Sequence, residues 1–257
     1  MKAAEALIAS IRSGDRQKLG RAVSLAASGA GEGRGLLDSL ARNGRKAHWI
    51  GVTGPPGAGK STLIGGLLPL FRARGEKVAV IACDPASPLS GGAFLGDRMR
   101  MGLEADLGAD PGIFVRSFAA RGPGADLPEA ALRAAQVLDA AGFERVIFET
   151  TGAGQNDVGL AGRVDTTVVV LTPESGDGFQ TLKAGLIEVA DILVVNRADR
   201  PGADSLAREL EEEVRARASG RRVPVLTAVA TRGEGLAALV EAVAQRRAPI
   251  ASGERRS

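Results

Sequence analysis

Residues 51–62, GVTGPPGAGKST, follow an apolar run and precede an amphipathic one, and they narrow the fold more than any other stretch. Gly54 through Ser61 satisfy the pattern G-x-x-x-x-G-K-[ST], in which glycines let the backbone curl until several N–H groups point inward at a phosphate. A helix starting at Lys60 adds the positive end of its dipole. Pro56, Gly57, Ala58, Gly59, Lys60, Ser61 and Thr62 are therefore the candidate phosphate-binding residues. Lys60 brings a mobile charge to the β- and γ-phosphates, where it counts as catalytic, and the Ser61 hydroxyl suits Mg²⁺.

Around this loop the chain alternates short β-branched runs with amphipathic segments. The runs are 49–53, 77–83, 112–118, 145–150, 166–172, 191–196 and 223–229; helices are expected over 60–74, 126–141, about 178–188, 203–219 and 234–246. Continuous apolar strands separated by helices predict a parallel sheet covered on both faces. Right-handed crossovers then give a doubly wound α/β fold with ligands at the carboxyl ends of the strands. Residues 1–45 read as a helical extension, with Asp15 capping its second helix, a loop over 27–35 and a short helix over 36–44. The nucleotide-binding domain is expected over 46–247, and 248–257 as a short frayed tail.

A phosphate loop does not choose a base. Residues 194–199, VVNRAD, end a strand on Asn196-Arg197-Ala198-Asp199, the N-[KR]-x-D pattern that reads guanine. An ionised carboxylate only accepts hydrogen bonds, so it suits the N1–H and N2 amino donors of guanine and repels the N1 acceptor of adenine. Arg197 is expected to lay its planar guanidinium on the purine face. Val229 and Ala230, in VATRGEGL, fall where a backbone N–H closes over the guanine O6.

Two more strands end on acids. Asp84 closes VAVIACD and Glu149 closes RVIFE; a carboxylate after a buried strand is placed to hold Mg²⁺ directly or through water. Asp97 is a further candidate, either a metal-facing carboxylate or a helix cap; the candidate metal set is Ser61, Asp84, Asp97 and Glu149, with Asp97 and Glu149 also catalytic candidates. Gly152, in Glu149-Thr150-Thr151-Gly152, is the residue whose N–H would meet the γ-phosphate, and release of that contact would free the segment after it. No glutamine directly follows Gly152, so slow hydrolysis is expected until a partner completes the site.

Composition excludes other classes. Lys and Arg number 33 against 30 Asp and Glu, and with seven Phe, one Trp and no Tyr there is no aromatic platform for nucleic acid. One cysteine rules out an internal disulfide, and no apolar run approaches the roughly 20 residues of a membrane span. The N-terminus has no leader-like pattern, so the expected location is the cytoplasm. Cys83 reads as a small buried strand residue and His48 as a surface or strand-edge one.

Taken together, GDRQKLGRAVSLA (14–26), GVTGPPGAGKST (51–62), DPASPLSGGAFLGDRMRM (84–101), ETTGAGQND (149–157), VNRAD (195–199) and GEGL (233–236) resemble the MeaB/ArgK family of SIMIBI-class P-loop GTPases. These are accessory proteins of adenosylcobalamin-dependent acyl-CoA mutases. The resemblance implies a Mg²⁺-dependent GTPase binding GTP and GDP. It would act as chaperone to a mutase such as methylmalonyl-CoA mutase, gating cofactor loading and protecting or reactivating the enzyme, with the mutase's adenosyltransferase as a further candidate partner. Adenosylcobalamin would belong to the mutase. Family members continue into a helical arm used for homodimerisation; only RAPIASGERRS follows the last expected helix here, so a homodimer is not implied. Two other readings share the loop. A nickel- or cobalt-delivering GTPase would want soft or imidazole ligands, of which the chain has one Cys and one His. A small-molecule kinase would not need Asn196 and Asp199.

Overall fold

The computed structural model describes residues 7, 10–11, 15–41, 46–85, 110–120, 127–150, 157–174, 180–217 and 222–246. Seven strands form one parallel sheet in the order β3-β2-β4-β1-β5-β6-β7. They are β1 (His48–Thr53), β2 (Val78–Pro85), β3 (Ile113–Ala120), β4 (Arg145–Thr150), β5 (Thr166–Leu171), β6 (Ile192–Asn196) and β7 (Val225–Ala228). All seven expected runs become strands, and the doubly wound α/β reading holds. The described helices are α1 (Arg16–Ser28), α2 (Glu32–Ala41), α3 (Lys60–Ala73), α4 (Glu129–Ala140), α5 (Asp157–Ala161), α6 (Gln180–Val189), α7 (Ala203–Ala216) and α8 (Leu236–Gln245).

Each central strand is buried on both faces, which is why it reads as an unbroken apolar run. Alternate side chains serve different layers. Val52, Val168, Val170 and Val194 pack with Leu63, Leu67, Leu239 and Val243 of α3 and α8. On the opposite face Trp49, Ile81, Val146 and Phe148 meet Leu19 and Val23 of α1 and Leu132 and Leu138 of α4. Val169, Leu171, Leu193 and Val195 extend that face beneath α6 and α7. Gly51 interrupts β1 for a packing reason: a Cβ there would come within 2.7 Å of Leu160 on α5.

The N-terminal helices share the sheet's own core. Asp15 caps α1 as expected, its Oδ1 accepting from Lys18 N at 3.0 Å. The expected loop over 27–35 is shorter than read: α1 continues to Ser28, and α2 already starts at Glu32. Gly29, with φ 68°, ends α1 through its N–H to the Ala26 carbonyl, and Arg133 donates to the carbonyls of Ala26 and Ala27 from α4. Satisfied last-turn carbonyls let the helix run on into a glycine-rich stretch.

His48 is a second correction. It is buried at the start of β1, with Nε2 2.8 Å from Thr166 Oγ1 and Nδ1 2.7 Å from Arg145 Nη1. A guanidinium only donates, so Nδ1 accepts and the ring proton sits on Nε2. Arg145, 2% exposed, closes the network with a two-pronged pair to Glu76 at 2.9 and 2.7 Å. The lone histidine is held by partners that a reading of its own strand does not show. Cys83 is buried, as expected.

Candidate nucleotide site

The phosphate loop leaves β1 at Gly54 and enters α3 at Lys60, at the carboxyl edge of the sheet. Its shape leaves no room for a Cβ at two points. Gly54 has φ 137°, and a Cβ there would sit 2.0 Å from the Val170 carbonyl oxygen. Gly59 has φ 85°, and its Cβ would sit 2.5 Å from Asn196 Nδ2. Gly59 is also the N-cap of α3 and supplies no side-chain cap, so the first-turn N–H groups stay available to an anion. Lys60 is buried, its Nζ donating to the carbonyls of Gly54 at 2.9 Å and Pro55 at 3.0 Å. Those bonds fold the ammonium over the loop that would hold phosphate.

At the second residue of α3, Ser61 Oγ donates to Glu149 Oε1 at 2.5 Å. Glu149 stands at the end of β4, in register with Val52 of β1 and Ala82 of β2. Its neighbour Thr150 donates its hydroxyl to Thr53 Oγ1 at 2.9 Å, directly before the loop. Two of the four expected metal-facing residues therefore meet. Both are hard oxygen donors, as Mg²⁺ prefers, and the pair fits that ion. The backbone of Asp84 pairs with Ala119 one residue before the end of β2, while its side chain is not among the described ones. Asp97 and Gly152 also lie outside them.

The other side of the site is built from the ends of β6 and β7. Asn196 is buried, and its amide spans two loops: Nδ2 donates to the Ala58 carbonyl at 2.8 Å, and Oδ1 accepts from Ala230 N at 3.1 Å. Asn196, Arg197, Asp199, Val229 and Ala230 line one cleft with Gly59 and Thr62. Arg200 and Thr231 line it as well, and the sequence reading passed over both. Thr231 lies inside the VATRGEGL stretch; nothing in the N-[KR]-x-D pattern singles out the residue after its aspartate.

Arg197 lines the base cleft beside Asn196. It has φ 57°, with Nη2 donating to the Gly57 carbonyl at 2.8 Å and Nη1 3.4 Å from Glu174. The guanidinium bridges the phosphate loop and the segment after β5. Asp199 is half-exposed and has Arg232 Nη1 3.7 Å from its Oδ2. Arg232 is held above its ordinary pKa range, first by its hydrogen bond to Glu234 and less by the charge of Asp199.

A doubly wound sheet whose first strand ends in this loop, and whose sixth ends in an asparagine bonded to it, is the architecture of a P-loop GTPase. The sequence profile of the methylmalonyl-CoA mutase-associated GTPase MeaB matches residues 19–256. A protein of Pyrococcus horikoshii named as a GTPase is 41% identical over 249 residues, covering 95% of this chain and 77% of that protein. A fused isobutyryl-CoA mutase of Paraburkholderia xenovorans is 35% identical over 206 residues, 76% of this chain and 16% of that protein. The crystal structure of an LAO/AO transport system kinase superposes with a TM-score of 0.74 at 27% identity, covering 96% of this chain and 76% of that one. The chain belongs to the MeaB family of mutase-associated GTPases. No helix among the described residues is long and apolar enough to cross a membrane.

Proposed function

We propose that this GTPase is the nucleotide-dependent chaperone of an adenosylcobalamin-dependent acyl-CoA mutase, gating cofactor loading and protecting or reactivating the enzyme. The observation that carries the reading is the relative named as a fused isobutyryl-CoA mutase, in which a stretch similar to this chain belongs to a mutase polypeptide. In the reaction, the loop amides and Lys60 stabilise charge on the transferred phosphoryl group. Ser61, Glu149 and the acids at 84 and 97 would hold Mg²⁺, which neutralises charge on the phosphate oxygens. Asn196 would keep the phosphate and base loops at a fixed separation, while Asp199 would accept from the guanine edge.

The bonds from Ser61 to Glu149 and from Thr150 to Thr53 join the loop to the residues directly preceding Thr151. That linkage supports a route by which the state of the γ-phosphate reaches the ETTG segment and, through it, the mutase. A metal-delivery role finds less support: Cys83 is buried in β2, and both ring nitrogens of His48 are engaged within the fold.

Hydrolysis of GTP measured alone and with a purified adenosylcobalamin-dependent mutase tests the proposal. A slow basal rate that rises at least tenfold with the mutase is expected, since completing such a site lowers the barrier by about 1.4 kcal/mol or more. A rate indifferent to every mutase of this class would remove the chaperone role and leave the GTPase.

A further inference from the structure

Arg232 stands on the rim of the base cleft with no role in the pattern that identifies the site. It lies on the short 3-10 turn Ala230–Arg232, within the loop that carries Val229 and Ala230. Its guanidinium grips Glu234 as a fork, with Nε 2.7 Å from Oε1 and Nη2 3.3 Å from Oε2. The remaining nitrogen, Nη1, faces Asp199 Oδ2 at 3.7 Å. Among the described residues the Asp199 carboxylate has no other hydrogen bond or ion pair, so Arg232 alone orients it. The base of this relay is rigid: the Glu234 carbonyl accepts from Val229 N at 3.1 Å, and Gly235 follows at φ 77°, where a Cβ would meet the Thr227 carbonyl oxygen at 2.1 Å.

We infer that Arg232, anchored by Glu234, is a positioning residue for base selection that holds the Asp199 carboxylate toward the cleft. The inference rests on the reading of Asp199 as the group that accepts from guanine. Arg232 supports this carboxylate and does not block it. The separation of 3.7 Å exceeds the roughly 2.7–2.9 Å of a charge-assisted hydrogen bond. A carboxylate also offers about four lone-pair sites, so Oδ1 and part of Oδ2 stay available to the base. The fork also explains why arginine is needed: a lysine is a point charge and cannot grip Glu234 with two nitrogens while turning a third to Asp199.

KM and kcat of the full chain for GTP, for ITP, which keeps N1–H and lacks the 2-amino group, and for XTP, which carries an oxygen in place of that group, test this. The proteins are the wild type, Arg232→Ala, Arg232→Lys, Glu234→Gln and Asp199→Asn. In Arg232→Ala the KM for GTP rises about two- to fivefold, as for loss of an exposed ion pair, and the preference for GTP over ITP shrinks with it. The change falls on KM and not on kcat. Glu234→Gln moves both in the same direction by less, and Arg232→Lys recovers only part of the preference.

A purely structural role would lower the thermal midpoint while leaving the preference intact, and that result overturns the inference. Tighter GTP binding in Arg232→Ala overturns it too, because Arg232 would then be masking Asp199. Should Arg232→Ala not fold, Glu234→Gln decides between these outcomes. A wild type that prefers GTP, with Asp199→Asn shifting the preference to XTP while the Arg232 and Glu234 variants match wild type, overturns this inference only. A wild type without guanine preference, whose Asp199→Asn variant gains nothing toward XTP, removes the base reading and the inference with it.

Discussion

Asn196 shows at the scale of one residue how much a pattern leaves unsaid. Four letters, NRAD, identify a base-reading strand end, but the amide's partners are backbone groups of two other loops, Ala58 O and Ala230 N. Such bonds join positions far apart in sequence, and no local pattern records them. They also make glycine obligatory at 59, because the amide nitrogen occupies the space of a Cβ. Asn196→Ala would leave a buried carbonyl and a buried N–H without partners, at about 1–3 kcal/mol each. Affinity for guanine nucleotides is expected to fall at least tenfold, measured by titration calorimetry with GDP. Unchanged affinity would show that the two loops are held apart by other means. His48 is legible as a type and not as a placement: a lone titratable side chain at a strand start reads from its neighbours in sequence as exposed, whereas the Arg145 and Thr166 that bury it come from elsewhere in the fold.

At the scale of elements, the strands were the most legible part. Val168–Leu171 of β5 and Ile192–Val195 of β6 are apolar without alternation because helices cover both faces, and that pattern survives without knowledge of partners. Helix ends were less legible. The end of α1 depends on Arg133 of α4 reaching the last carbonyls, a tertiary contact that overrides the glycine-rich local signal. A similar tie fixes the entry to β3. Asp110 accepts from Arg72 Nε of α3 at 2.8 Å and from Gly112 N at 2.7 Å. The Arg72 hydrogen bond, aided by the Gly112 N–H, holds the Asp110 carboxyl below its ordinary value of 3.8. A depressed folded-state value means the contribution is complete above about pH 3.8 and is lost as pH falls through the folded value. Asp110→Asn is expected to cost about 0.5–1 kcal/mol at pH 7, a figure discounted for solvent screening. The gap between wild type and variant should close below pH 4 in urea denaturation. A gap that persists or widens on acidification would contradict the assignment.

At the scale of the whole molecule, the sheet order places the ends of β1, β4 and β6 along one edge, so a phosphate loop, an acidic strand end and a base cleft form a continuous site. Two hydrogen bonds couple that site to the ETTG segment, and Arg197 couples it to the segment after β5. A nucleotide held here would contact groups that also lead outward, which is the property a chaperone of another enzyme requires. The central claim is that the nucleotide state governs association with an adenosylcobalamin-dependent acyl-CoA mutase. Its most direct test is the dissociation constant for such a mutase, measured with GDP and again with a non-hydrolysable GTP analogue. The two constants are predicted to differ by at least fivefold, about 1 kcal/mol of coupling. Equal constants, or no association in either state, would contradict the account.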